Sequence, residues 1–199
     1  MTWIRTIEPD AAEGLLARVY TRVRTPDGHV DNILRAHSLR PATLEGHLAL
    51  YKAALHRRPC ALTRRERELV GVCVSRLNGC DYCVMHHQAG LARHVGDEQL
   101  AGALADASVG EGDLQLLSAR ERAMCAYARA LTCAPAEMRA SELAPLRAVG
   151  LDDAAILDLN QVVAYFAYAN RTVLGLGVSP EGEPLGLHPS EGEGDLTHG

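Results

Sequence analysis

Between Glu68 and His87 the sequence reads ELVGVCVSRLNGCDYCVMHH. The stretch holds a carboxylate (Glu68), a Cys-x-x-Cys pair (Cys80 and Cys83) and a histidine four residues after the second thiol (His87). Two thiols at this spacing can cycle between dithiol and disulfide, and a nearby imidazole can take and return the protons they exchange. Asn78-Gly79 interrupts the apolar run just before Cys80, which predicts that the pair opens a new helix. The free N–H groups and partial positive charge of a helix N-terminus favour a thiolate, so the thiols are expected to have lowered pKa values. Helical spacings of three and four place Cys80, Cys83 and His87 on one face, with His86 pointing elsewhere. The same donors could serve as zinc ligands, with His86, Asp81 or Glu68 as the fourth. Structural zinc sites usually set their Cys pair on a knuckle between short elements, and this chain is long enough to fold without metal, so neither metal nor cofactor is expected.

Helices must position this stretch. Apolar residues make up 47% of the 199-residue chain but aromatics only 4%, and Ala and Leu dominate, which favours packed helices over sheets. Asp10 is read as the cap of a helix over 10–24, Asn32 to Ser38 as a short helix, and Pro41 as the opening of a helix to about Arg57. Thr63-Arg-Arg-Glu66 is a capping box that starts a helix ending at Asn78-Gly79, with Leu69, Val70, Cys73, Val74 and Leu77 as its buried stripe. Glu68 lies beside that stripe and can face either solvent or the Cys pair. Helices follow over 81–95, 98–107 (capped by Asp97), 119–132 (a second capping box, Ser118 to Glu121), from Pro135, and from Asp152 or Asp153 to Leu174. Leu62-Thr-Arg-Arg-Glu-Arg67 recurs as Leu117-Ser-Ala-Arg-Glu-Arg122, 55 residues later, so two related helical units are a possible architecture. A helical domain over 1–178 is expected, followed by an acidic Gly/Pro/Glu-rich tail at 179–199 that is flexible or loosely docked. The tail's five acidic residues account for the net charge of −5, leaving no basic patch for nucleic acid or an anionic membrane. Cys60, Cys73, Cys125 and Cys133 read as small buried hydrophobes; His37, His47, His56 and His94 as surface or cap residues; His86 as helix surface or a subunit contact. Asn170-Arg171 reads as a structural polar pair, and Tyr165, Phe166 and Tyr168 as packing residues.

The run Leu62-Thr-x-Arg-Glu-Arg-Glu-Leu69, then Cys80-x-x-Cys83 and His87, resembles the AhpD-like proteins of the carboxymuconolactone decarboxylase superfamily. The support extends through LSARERAMCAYARAL, LRAVGLDDAAILDL and YFAYANRTVLGLGV, about residues 35 to 178, and is strongest toward the peroxidase-related branch. The resemblance implies an all-α helical bundle, a homo-oligomer (dimer, trimer or hexamer) and thiol-dependent reduction of hydroperoxides in antioxidant defence. It also implies that Glu68, twelve residues before Cys80, forms a proton relay with His87. The residue before the second Cys, often His in AhpD proper, is Tyr82 here.

For a thiol peroxidase the residues read as follows. One thiolate attacks the O–O bond and becomes a sulfenic acid, and the other thiol condenses with it to a disulfide. Cys83, nearer His87, is favoured as the attacking thiol and Cys80 as the resolving one; the reverse order, N-terminal Cys attacking, is the thioredoxin habit. The disulfide must be re-reduced by an external dithiol, and no bound cofactor is required. A chain with no signal-like N-terminus and no long apolar run is expected to be cytoplasmic, with no membrane partner. The competing readings are a non-catalytic oligomeric redox sensor and the zinc site described above.

Overall fold

Two helices with matching N-termini form the centre. In α4 (Arg64–Leu77) the Thr63 side chain accepts from the Glu66 amide while the Glu66 carboxylate accepts from the Thr63 amide. In α7 (Ala119–Cys133) Ser118 and Glu121 make the same reciprocal box. The boxes are also cross-linked. Arg65 Nε donates to Glu121 Oε1 at 2.8 Å, and Arg120 Nε donates to Glu66 Oε1 at 2.7 Å. Each capping glutamate therefore holds its own helix and the arginine of the other, a reciprocal arrangement with local twofold character. The sequence echo at 62–67 and 117–122 is thus also a structural one. A weaker echo follows it: Gly96 (φ +75°) precedes the Asp97 cap, and Gly150 (φ +85°) precedes the Asp152 cap.

The computed structural model describes residues 2–25, 28–183 and 185. In chain order the remaining helices are α1 (Gly14–Val23), α2 (Asn32–Arg35), α3 (Pro41–Tyr51), α5 (Asp81–Val95), α6 (Glu98–Val109), α8 (Ala144–Ala148) and α9 (Asp153–Leu176). A π-helical turn, Lys52–His56, carries α3 toward the expected end near Arg57. Short 3₁₀ turns precede α1, α7 and α8. No strand occurs among the described residues, and the fold is all-α as expected. Helix α4 is central, packing against α5, α6, α7 and α9, and ten consecutive residues, Glu66 to Ser75, are buried. The main core joins Leu69, Val70, Cys73 and Val74 of α4 to Leu91, Leu104, Met124, Leu159 and Phe166. A smaller core joins α1 to α3 through Leu16, Val19, Tyr20, Leu44 and Leu48.

Several expectations are corrected. His47 lies within α3 and is buried, and His37 and His86 are buried too, because each imidazole is packed among helices rather than at a wet end. Burial, and then His37, lowers the His47 pKa to about 3. Cys133 is exposed, Cys60 half-buried, and Cys73 and Cys125 buried as expected. The start of the acidic tail is docked. Asn32 Nδ2 donates to the carbonyls of Ser179 and Glu181 (2.9 and 3.4 Å), and the buried Glu183 carboxylate accepts from Tyr82 Oη at 2.7 Å. Apart from residue 185, the expected tail beyond 183 lies outside the described residues. Among the described residues no helix is long and apolar enough to cross a membrane.

Candidate active site

The turn between α4 and α5 sets the thiols. Asn78 ends α4, Gly79 takes the left-handed conformation (φ +66°), and the Gly79 and Cys80 amides donate back to the carbonyls of Arg76 and Ser75 at 3.0 and 2.9 Å. This is a Schellman closure, and glycine meets its positive φ without strain. Cys80 thus closes α4 and is also the N-cap of α5, while Cys83 stands three residues into the new helix. The first turn of α5 carries Asp81, and the Cys83 amide hydrogen-bonds to the Cys80 sulfur.

Both thiols are free and buried, and they hydrogen-bond to one another. The bond from the Cys83 thiol lowers the Cys80 pKa against the opposing effect of burial, while the same bond and burial push Cys83 well up. Of the two thiols Cys80 is therefore the more acidic. Asn170 of α9, fully buried, hydrogen-bonds to both sulfurs, lowering both. It also donates to Ser75 Oγ (3.1 Å) and accepts from Asn78 Nδ2 (2.9 Å). One amide thus ties α9 to the end of α4 and to the pair. Sequence reasoning gave Asn170 a structural role; its neighbours Phe166, Ala169 and Val173 are buried, so a polar residue amid them was the available signal.

Glu68 faces inward. Its Oε2 lies 2.7 Å from His87 Nδ1, and both residues are buried. This is within the range of a charge-assisted hydrogen bond. The bond fixes the orientation of the imidazole ring. His87 sits one turn after Cys83 on α5, the spacing that puts two side chains side by side. Phe166, the chain's single phenylalanine, meets His87 edge-on with ring centroids 4.5 Å apart. Phe166 needs Gly71 of α4: a Cβ there would lie 2.2 Å from its Cζ. Tyr51 and Tyr165 pack with centroids 5.6 Å apart, and their hydroxyls are held protonated by burial, with the Glu68 charge adding to it. Tyr165 and Phe166 therefore pack, as expected, and Phe166 walls the Glu68–His87 pair.

The structure thus brings Glu68 to His87 and Cys80 to Cys83. His86 does point away from them, yet into the protein, stacked on Tyr82 at 4.6 Å. Among the described residues, the three metal-ligating side chains whose donor atoms come within 4.8 Å of one another are His29, Asp31 and Glu183, not the cysteine pair and His87. The arrangement supplies two thiols with unequal acidity, a sulfur-to-sulfur contact and a buried imidazole–carboxylate pair.

Residues 41–124 match the carboxymuconolactone decarboxylase family. An uncharacterised peroxidase-related protein from Ralstonia eutropha JMP134, described as an alkylhydroperoxidase AhpD core, superposes with a TM-score of 0.80 at 25% identity, covering 91% of this chain and 93% of that one. A peroxidase-related protein from Silicibacter sp. TM1040 superposes at 0.72 with 28% identity over 84% and 87%. The debrominase Bmp8 shares the fold alone, with a TM-score of 0.69 at 18% identity over 91% of each chain. No protein of curated function matches the sequence. With the all-α bundle, the capped central helix and the matched segment in agreement, the chain is similar in fold and in its central segment to the AhpD-like proteins of the carboxymuconolactone decarboxylase superfamily.

Proposed function

We propose that the protein is a thiol-dependent hydroperoxide reductase in which Cys80 and Cys83 cycle between dithiol and disulfide. The observation that carries this reading is the pairing of the hydrogen-bonded thiols with a histidine one turn away whose Nδ1 lies 2.7 Å from a buried carboxylate. Cys80 ionises first. A proton shift along the thiol–thiol contact then places the thiolate on Cys83, with His87 adjacent. Cys83 attacks the peroxide O–O bond; its sulfur is oxidised to sulfenic acid, the O–O bond breaks, and the alkoxide leaves as an alcohol with a proton from His87. Cys80 displaces hydroxide from the sulfenic acid, releasing water and closing the disulfide. Glu68 stabilises the imidazolium when His87 carries the proton. An external dithiol supplies the two electrons that reopen the disulfide. Cytoplasmic antioxidant defence is the setting this chemistry fits, and a homo-oligomer is the assembly the family resemblance favours.

The test is intact-mass and peptide-level thiol analysis after adding one equivalent of an organic hydroperoxide to reduced protein. The expected product has lost two hydrogens, maps to a Cys80–Cys83 disulfide and is abolished by Cys83→Ser. A Cys83→Ser protein that forms sulfenic acid at Cys80 reverses the order of the thiols. Oxidation at other cysteines, or none over minutes, refutes the enzyme.

A further inference from the structure

A second cluster of ligating groups lies where α2 and the docked tail meet α5, beside Tyr82. His29 and Asp31 precede α2, Glu183 comes from the docked tail, and His86 comes from α5. One donor atom each from His29, Asp31 and Glu183 lies within 4.8 Å of the others. His86 Nε2 lies 3.5 Å from Glu183 Oε1.

The local hydrogen bonding leaves these groups facing one another. The Glu183 side chain is wholly buried (0% exposed). Its Oε1 accepts from Tyr82 Oη at 2.7 Å and from the Asn32 amide at 3.2 Å, whereas its Oε2 is buried with no hydrogen-bond partner. Asp31 is the N-cap of α2 but makes no cap hydrogen bond, and its Oδ1 is buried without a hydrogen-bond partner. An N-cap aspartate would ordinarily accept from its own helix. His86, with its side chain 9% exposed, likewise leaves Nε2 without a hydrogen-bond partner. The nearby Arg35 is engaged by Glu8 and by Asn32 Oδ1 (3.2 Å). Two carboxylates and a buried imidazole that leave donor atoms unshared cost free energy unless something positive joins them.

We propose that His29, Asp31, Glu183 and His86 bind one divalent metal ion of the zinc type. Two imidazoles and two carboxylates form an N₂O₂ set, which suits a borderline ion in four-coordinate geometry better than magnesium or calcium, which take all-oxygen shells. Neutral imidazoles and ionised carboxylates balance a doubly charged ion. For His29, Asp31 and Glu183, closing from separations of up to 4.8 Å to those of a tetrahedral shell needs side-chain movement of about 1 Å, and His86 Nε2 starts 3.5 Å from Glu183 Oε1. The outer layer is in place, since Tyr82 and the Asn32 amide orient the Glu183 carboxylate as metal-bound carboxylates are oriented elsewhere. The metal fastens residues 179–183 across α2 and α5. Tyr82 and Val178 pack there with Cys80 and Cys83, so the fastened tail forms part of the cover of the thiol pair.

The proposal is tested on the full-length, reduced protein with Zn²⁺ as the probe. Zinc per chain is measured by elemental analysis after equilibrium dialysis, for wild type, Glu183→Gln, His29→Gln and Cys83→Ser, with circular dichroism to confirm folding. One zinc per chain in wild type and in Cys83→Ser, with binding weakened at least tenfold in Glu183→Gln and His29→Gln, supports the site. Cobalt substitution then gives a visible spectrum free of thiolate charge transfer. Zinc that is lost in Cys83→Ser but kept in Glu183→Gln places the ion on the thiols and overturns the proposal. Wild type that takes up no zinc also overturns it, leaving a buried carboxyl pair that holds its proton.

Discussion

Gly71→Ala is the substitution whose effect the packing fixes most tightly. Ala is the better helix former, and in an open helix interior the change would stabilise by about 1 kcal/mol. Here the new Cβ would lie 2.2 and 2.3 Å from Phe166 Cζ and Cε2, about 1.2 Å inside ordinary contact. The ring cannot swing away, because it is fully buried with His87 edge-on at 4.5 Å and Tyr165 at 5.3 Å. Overpacking of this kind costs about 3 kcal/mol at the upper end of its usual range. The net loss is then about 2 kcal/mol, a fall in Tm of about 4–8 °C for a chain of this length. Urea unfolding measures it, with an unchanged m-value showing that the native state and not the denatured chain is affected. The double variant Gly71→Ala/Phe166→Leu removes the colliding edge, so in that background the alanine should stabilise by about 1 kcal/mol. A Gly71→Ala protein as stable as wild type, or a penalty unchanged by Phe166→Leu, would refute the argument that this glycine exists to admit the ring. The same variant pushes on the ring that flanks His87, so its peroxide-dependent oxidation should also slow.

Four further outcomes follow from the geometry. Glu68→Gln keeps the shape of the His87 contact but replaces a charge-assisted hydrogen bond with a neutral one, a loss of about 1–2 kcal/mol; stopped-flow oxidation by hydroperoxide should slow by about 5- to 30-fold, and an unchanged rate removes Glu68 from the relay. Asn170→Ala deletes the hydrogen bonds that lower both thiols, so the pH profile of alkylation should move to higher pH; a profile that stays in place means the amide only braces α9 against α4. His47 has a folded pKa of about 3 against about 6.5 in the unfolded chain, so the unfolded state binds the extra proton and stability is lost as pH falls below 6.5, by about 1 kcal/mol per pH unit; His47→Gln should flatten the acid limb of a urea-midpoint against pH plot, and a parallel limb would contradict the burial argument. Thr63→Ala should cost about 1 kcal/mol in the same assay, and a neutral result would mean that Arg120 alone suffices to hold Glu66.

Much of this was legible in the sequence because the signals were local. Both capping boxes, the Gly79 stop and the Asp97 and Asp152 caps each depend on residues within four positions, and those helices begin within a residue of their expected starts; the helix read from an Asp10 cap begins only at Gly14, because Asp10 lies in a 3₁₀ turn ahead of it. The Glu68–His87 contact was reachable through the family resemblance alone, since the periodicity of the helix left Glu68 facing either way. What the sequence hid was contact at long separation. Asn170 reaches Ser75 across 95 positions and Glu183 reaches Tyr82 across 101, and no spacing rule connects them. The buried histidines were misread for the same reason. His47 and His86 sit at positions that look exposed on their own helices until a second element covers them, Tyr165 over His47 and the tail over His86. The tail's composition argued against a core, and it makes none; its first residues dock through carbonyls and one carboxylate instead.

The crossed pairs of α4 and α7, Arg65 with Glu121 and Arg120 with Glu66, have the layout of an interface between two copies of one protein, drawn inside a single chain. In a true homodimer every substitution strikes such an interface twice, because both copies carry it. Here the two halves are separate codons. One arm of the clamp can be lost while the other holds, and the halves are free to diverge. The residues 55 positions beyond Cys80 and Cys83 are Pro135 and Met138, which carry no thiol. Independence of this kind lets one half carry the thiols while the other serves as support alone.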